Sequence, residues 1–478
     1  MALEMNGLGD INQANVGISQ AERDWIAAIE LKINQPPKML NESAGKRACC
    51  IFKVPQSLVG INENAYRPDI VSIGPYYRNE QHLEMIQEHK WRFLRNIHAR
   101  ISPCGVRLND LFHAINSKEE EIRKCYSATI EHGSNDLVEM MVLDGCFIIE
   151  LFWKVHELKR RRRDEHDDPI LKMASVVPLI ARDLLKLENQ IPFFVLEKLI
   201  EPPILALGEN HPSLKNLTLG FFNYAVGRPN QMLQTHENLS CKHILDLFRL
   251  SMVPLPPSPP RPASMNTASF RLISSAHKLR LAGVKFMPKE NSDSFLDIEF
   301  INGVLQIPNL MLDDFATSLL LNCVTFEQCY DYCSKSVTCY ATFMGCLINT
   351  PKDAEYLCDK KIIDNYLGAN EEVACFFNNL GKDLPTDIHE SYLKELFEDV
   401  NEYCSEGLRV CWAGFVNTYF RSRWSIISAI VGFLILISAL IQAIFTLYPY
   451  VHSSPHKTRR KRDQGILSTM PELHIAVI

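Results

Sequence analysis

The chain has 478 residues, of which 46% are hydrophobic and 22% charged, and its formal net charge is −6. That balance is globular and excludes a disordered chain, while the slight acidity excludes a global field of the kind that draws nucleic acid. The length accommodates a sizeable core and two or three domains.

Residues 1–45 read as a polar lead-in, with no basic, apolar signal segment over Met1–Val16. Within it, Ala21 to Asn34 has helical spacing, with Trp25, Ala28, Ile29 and Ile33 near one face. Order begins at Cys49, in CCIFKVP. The stretch 80–100 is the next helix, on the spacing of Leu83, Ile86, Trp91, Leu94 and Ile97. Asp136 to Leu158 is apolar on two faces, one with Met141, Ile148, Phe152 and Val155, the other with Val138, Val142 and Ile149. Glu139, Asp144 and Glu150 interrupt it, so it is expected to be a central core helix and not a membrane span.

The run Lys159–Asp168 (KRRRRDEHDD) is a solvated connector or a docking patch. Helix is expected again over 176–187, ending at Glu188–Asn189–Gln190 before Pro192, and Phe193 restarts a buried segment. Six prolines in residues 254–262 make an extended linker or a proline-rich ligand. From Ser294 to Leu312, Leu296, Ile298 and Phe300 alternate with Asp297 and Glu299. Asn302–Gly303 then predicts a hairpin turn into Leu305 and Ile307, since both turn residues accept positive φ. Ala282–Phe286 is a candidate third strand. Helices are expected over 313–334, 338–349, 369–380 and 388–420. The fold class is therefore mainly α, with a small antiparallel hairpin or three-stranded sheet.

Phosphate loops, dinucleotide fingerprints, a nucleophile elbow and the zinc-protease pattern are all missing. The fifteen cysteines include Cys49–Cys50 and a cluster at Cys323, Cys329, Cys333, Cys339 and Cys346. None forms C-x-x-C, so buried free thiols are expected over zinc or disulfides, with Cys329 and Cys333 sharing a core face one turn apart. Glu88 and His89, with His82 seven residues earlier, are an acid–base candidate but are expected to be surface or capping groups. Asp144 and Glu150 are expected to be paired in the core, the sharper alternative being a carboxylate site of raised pKa. Glu188–Asn189–Gln190 are expected to satisfy loose backbone groups at a helix end. The sequons at Asn41, Asn216 and Asn238 are no more than chance supplies. No residue is assigned a catalytic, cofactor-binding or metal-binding role.

Ser425 to Val451 contains no charged residue, and SIISAIVGFLILISALIQAIFTL is long enough to cross a bilayer, which takes roughly 20 apolar residues. A transmembrane helix is expected over 424–448, making the bilayer one partner, with a basic tail over 449–478. Arg409, Arg421 and Arg423 precede it, while Lys457, Arg459, Arg460, Lys461 and Arg462 follow. That bias favours a cytoplasmic tail, whereas exporting some 420 residues ahead of the helix without a signal favours a cytosolic body. The cytosolic body is preferred, on the plasma membrane or an endomembrane. Ser428 and Gly432 form a small-x-x-x-small pair through which the helix could self-associate.

These blocks, taken together, resemble the plant family called domain-of-unknown-function 247. The stretches that carry the resemblance include IFKVPQSLVGINENAYRPDIVSIGPYYRN (51–79), MIQEHKWRFL (85–94), MVLDGCFIIELFW (141–153), DLLKLENQIPFFVLEKL (183–199), FLDIEFINGVLQIPNLMLDDFATSLLLNCVTFEQ (295–328) and TYFRSRWSIISAIVGFLILISALIQ (418–442). The resemblance runs from about 48 to 450 and implies one globular domain over 46–420, comprising a helical part (46–250), the linker (251–265) and a sheet-and-helix part (271–420). It implies a membrane-anchored recognition or signalling protein, with no enzymatic activity, no cofactor and a protein partner. Pollen-side self-incompatibility and growth or stress responses are the settings it suggests. Two alternatives stand beside it: an enzyme using buried carboxylates near Asp144 and Glu188, and a homo-oligomeric membrane scaffold.

Overall fold

The computed structural model describes residues 19–35, 37–60, 62–161, 168–207, 212–226, 236–253, 271–381, 391–405 and 423–452. The start of the lead-in, most of the charged connector, the proline-rich linker, residues 406–420 of the last expected helix, and the basic cluster at 457–462 lie outside the described residues. The chain divides into two compact units, Met1–Val410 and Cys411–Ile478.

In the first unit, α1 (Gln20–Ile33) starts at a capping box in which Ser19 and Glu22 bond each other's backbone N–H. It buries none of its residues, and Trp25 and Ile33 are exposed. The body follows with α2 (Glu84–Ile101), α3 (Leu108–Asn116) and α4 (Ser134–Arg161). Helix α4 is the expected core helix. It packs against α2, α3, α6 (Phe193–Leu207) and α7 (Leu214–Val226), and Leu143, Phe147, Leu151 and Phe152 on it are wholly buried. Aromatic pairs fasten it on two sides, Phe93 stacking on Phe147 at 5.2 Å and Phe152 meeting Phe221 at 4.7 Å between ring centroids. Trp91 does not join the buried face of α2. It is half exposed, and Lys90 takes the core position beside Phe93 and Leu94.

Helix α5 (Val176–Asp183) stops four residues earlier than its apolar spacing predicts. The reason is local competition for the backbone. Gln190 Nε2 bonds the carbonyls of Leu184 and Lys186, and the side chains of Asp183 and Asn189 turn to a neighbouring strand-like segment.

After α8 (Ile244–Leu250) comes the sheet: β1 (Lys285–Lys289), β2 (Glu299–Ile301), β3 (Val304–Pro308), β4 (Leu310–Leu312) and β5 (Ile363–Asn365). The hairpin forms where Asn302–Gly303 places it, with φ of 52° and 79°, and Glu299 pairs Gln306 across the antiparallel ladder. A third strand is also present, but it starts at Lys285, three residues later than expected, runs parallel to β3 and makes the sheet mixed, in the order β1-β3-β2. Pro288, which cannot donate to a ladder, sits on this edge strand. β4 leaves the sheet and pairs in parallel with β5, a two-stranded element that alternation alone did not reveal.

The helices that follow are α9 (Asp314–Cys329), α10 (Ser336–Leu347), α11 (Pro351–Asp359), α12 (Asn370–Leu380) and α13 (Lys394–Ser405). Helix α11 was not expected; its start is signed by Thr350, Pro351 and Asp353, a capping box with proline at the first turn. Cys329 closes α9 and Cys333 lies in the loop beyond it, so the two do not share a helix face. A single buried cluster runs from Cys49 to Val400 across the sequence, so the residues before and after the proline-rich linker build one core.

In the second unit, α14 spans Arg423–His452. Thirty residues at 1.5 Å rise extend about 45 Å, more than the ~30 Å hydrocarbon layer. None of the apolar window Ile430–Tyr448 is buried in protein.

Candidate functional site

Many of the buried polar side chains of the body line one seam. The segment 67–74 carries backbone N–H groups that no sheet or helix satisfies, and the stretch 183–190 supplies acceptors for them. Asp183 accepts from the N–H of Asp69, Ile70 and Val71 at 2.8–3.0 Å, and Lys186 approaches it at 3.1 Å. Asn189 Oδ1 accepts from Ile73 N at 2.7 Å while its Nδ2 donates to Val71 O and Asp183 O. Asp144 accepts from Gly74 N at 2.8 Å and from Lys90 Nζ at 2.5 Å; Lys90 also donates to Ser72 O. Gly74 is required here. Its φ is 76°, and a Cβ would lie 2.5 Å from Gln190 O.

Glu188 holds the surface end of the seam. It accepts from Val54 N at 2.6 Å, Lys53 Nζ at 2.9 Å and the Tyr77 hydroxyl at 2.8 Å. The Lys53 ammonium lies over the Tyr76 ring at 4.4 Å. Burial and the adjacent Glu188 carboxylate push the Tyr77 hydroxyl well above its ordinary range. Asp183 is likewise held above the usual carboxylate range by burial, and burial lowers Lys90.

A second cluster joins α8 to α9. Arg249, fully buried, bonds Asp246 at 2.9 Å and Glu327 at 3.2 Å. Glu327 caps α10 by accepting from Val337 N and Thr338 N, and burial raises it. His243 accepts from Asp246 N through Nδ1 and faces Cys50 O through Nε2 at 3.0 Å, which places its proton on Nε2.

The expected roles can now be placed. Asp144 and Glu150 are wholly buried, as their helix predicted, and each is paired separately, Asp144 with Lys90 and Glu150 with Arg100 at 2.9 Å. Glu188–Asn189–Gln190 do satisfy loose backbone groups, but those of Val54, Val71 and Ile73 as well as those of their own turn. Glu88 is exposed, His89 accepts from Arg92 Nε at 3.1 Å, and His82 sits beside Pro68 O, so the three do not combine. The sequence reading missed Lys90, Asp183 and the Arg249 cluster. Lys90 had a signal: it falls at a core position between Ile86 and Leu94, where a basic residue demands a buried partner.

The fourteen described cysteines are all free, and among the described residues no group of His, Cys, Asp or Glu is arranged to hold a metal. Two shallow concavities, of about 400 and 430 Å³, are lined by Lys118, Phe194 and Glu197 and by Lys278, Asn349 and Asn378 respectively; neither contains Asp144 or Glu188. With its acceptors directed to backbone, to basic side chains and, at Glu188, to the Tyr77 hydroxyl, the seam fastens chain segments and leaves no free carboxylate pair among the described residues.

No solved structure matches the chain. It is similar to "UPF0481 protein At3g47200" of Arabidopsis thaliana, with 36% identity over 438 residues, 88% of this chain and 90% of that protein. It is also similar to "Putative UPF0481 protein At3g02645" of the same plant, with 22% identity, 83% and 90% respectively. Residues 51–438 match DUF247, described as a plant protein of unknown function. The seam residues 53–54, 67–74 and 183–190 all fall inside that match, and the chain belongs to the plant DUF247 family.

Proposed function

We propose that this is a membrane-anchored protein whose helical body acts by recognising a protein partner and not by turning over a substrate. The observation that carries the reading is α14, whose apolar window has no protein covering it. It follows a body whose buried carboxylates are all engaged by backbone or basic partners. Recognition in growth, stress or self-incompatibility signalling is the setting that fits such a protein.

A cytosolic body is the orientation we favour. The amide nitrogen of Asn41, which a lumenal glycan would occupy, donates to Tyr126 O at 2.8 Å, and that of Asn216 donates to Glu237. Asn238 is exposed. Self-association through the face carrying Ser428 and Gly432 is a second reading, supported by the open space around Gly432; Gly432→Ile would then reduce oligomer size in detergent.

The test combines two measurements on the full chain in plant membranes. Protease treatment of sealed microsomes should digest the body and leave α14 protected, and proximity labelling from the body should return a reproducible protein partner. A protected body overturns the orientation, and failure to recover any partner in the expressing tissue counts against recognition.

A further inference from the structure

Helix α14 is uncovered by protein over Ile430–Tyr448, and its residues sort by size around the axis. Ser428, Gly432, Ile435, Ala439, Gln442 and Thr446 are spaced four and three residues apart in strict alternation, so they lie in one line along the helix. All but Ile435 are small or polar. The opposite side carries Ile430, Ile437, Ile441 and Ile444, all exposed and suited to lipid. Gln442 lies three residues from Ala439, the middle of the apolar window, which is about 4.5 Å along the axis. Its position is then about 10 Å from the nearer edge of a ~30 Å hydrocarbon layer, farther than a glutamine side chain reaches. The Thr446 hydroxyl is satisfied within the helix, donating to Gln442 O at 2.6 Å, whereas the Gln442 side-chain amide has no partner among the described residues. In hydrocarbon such a group has no water to turn to, and leaving it unpaired is costly.

We infer that the Gln442 face of α14 binds a second copy of the same helix, in parallel, with the two Gln442 amides clasped against each other. The inference rests on the reading of α14 as a bilayer span, and it gives the self-association face its register. An amide is donor and acceptor at once, so each Gln442 Nε2 donates to the other copy's Oε1, and two reciprocal bonds satisfy both carbonyls. Two copies inserted in the same sense run parallel, which sets identical positions opposite one another. The self-complementary amide therefore fits this chain's own helix better than an unrelated one. Alternation of four and three is the repeat of a left-handed pair crossing at about 20°. Gly432 and Ala439, on the same line, let the two backbones approach, and nothing of the chain itself lies within 4 Å of a Cβ at Gly432.

The test is sedimentation equilibrium of the full chain in density-matched detergent micelles under reducing conditions, with alkaline carbonate extraction of the same membranes beforehand. The native chain should stay in the membrane pellet and dimerise once solubilised. Gln442→Leu, close in volume but without the amide, should raise the dissociation constant roughly 3–30-fold, and Gln442→Asn should recover part of the loss. Ala439→Ile should also weaken the dimer, while Ile437→Val on the opposite side should leave it unchanged. A dimer weakened by Gly432→Ile but untouched by Gln442→Leu overturns the clasp and leaves self-association standing. A native chain that stays monomeric overturns both, and extraction of the native chain by carbonate overturns the span beneath them.

Discussion

Lys90 Nζ and Asp144 Oδ1 meet at 2.5 Å, and neither side chain reaches solvent. The pair joins α2 to α4, the most extensively packed helices of the body, and reaches beyond them. Lys90 donates to Ser72 O and Asp144 accepts from Gly74 N, so the same two residues pin the segment 72–74 onto the helix pair.

Removing one member strands the other. Lys90→Met leaves the buried Asp144 carboxylate with only Arg78, 3.8 Å away, as counter-ion and should cost up to about 3–5 kcal/mol. Lys90→Met with Asp144→Leu removes both charges and should be more stable than Lys90→Met alone, although the Gly74 N–H and Ser72 O lose these partners and Arg78 loses its ion pair with Asp144. Urea unfolding of the full chain in detergent, followed by circular dichroism, measures both. A double variant less stable than the single one would show that the ion pair is not what holds the seam.

Gly74→Ala should destabilise through two terms. Its positive φ alone costs about 1–3 kcal/mol in a residue with a side chain. The contact of the new Cβ with Gln190 O adds to it. Gly105→Ala is the matched control, since its φ is 80° and a Cβ there meets nothing within 4 Å. The loss of stability at Gly74 should exceed that at Gly105; equal losses would mean that segment 72–74 yields freely.

Burial holds His243 down to about 4, and its Nδ1 faces the Asp246 N–H, so the folded state resists the second proton. An unfolded histidine titrates near 6.5. Between about 6.5 and 4 the unfolded state binds a proton that the folded state refuses. Stability conferred by the neutral ring is therefore complete above 6.5 and lost as pH falls, by about 3 kcal/mol at the lower end. Glu327 and Glu150, raised by burial, act in the opposite sense over acid pH. The comparison that isolates His243 is therefore the pH dependence of the urea midpoint in the native chain against His243→Gln, which should flatten it. Parallel curves would remove His243 as the acid-sensitive group.

If α14 spans the bilayer, Leu436→Arg places a charge near its centre at a cost of about 2.5–3.5 kcal/mol for insertion. Alkaline carbonate should then extract a large fraction of the variant and little of the native chain. Equal retention in the pellet would mean that the body, and not α14, holds the protein to membranes.

The core helix, the Asn302–Gly303 hairpin and α14 were legible because each depends on residues close in sequence. Helical periodicity places Val142, Ile148, Ile149 and Phe152 on buried faces, a turn of two positive-φ residues fixes the hairpin, and length with apolarity marks α14. The polar seam was only half legible. Glu188–Asn189–Gln190 stood out beside Pro192, but their main partners lie well over a hundred positions earlier, at Val54 and Ile73. Nothing in local spacing names such partners.

What the sequence determined by itself was therefore the family, the mainly helical class and the apolar segment, all set by short-range pattern. Tertiary structure alone decided that Lys90 would neutralise Asp144 and that β4 would pair with β5 and not with the hairpin sheet. In both cases the physical reason is the same: a buried charge or an open strand edge is satisfied by whatever the fold brings within a few ångströms, and chain separation carries no record of that distance.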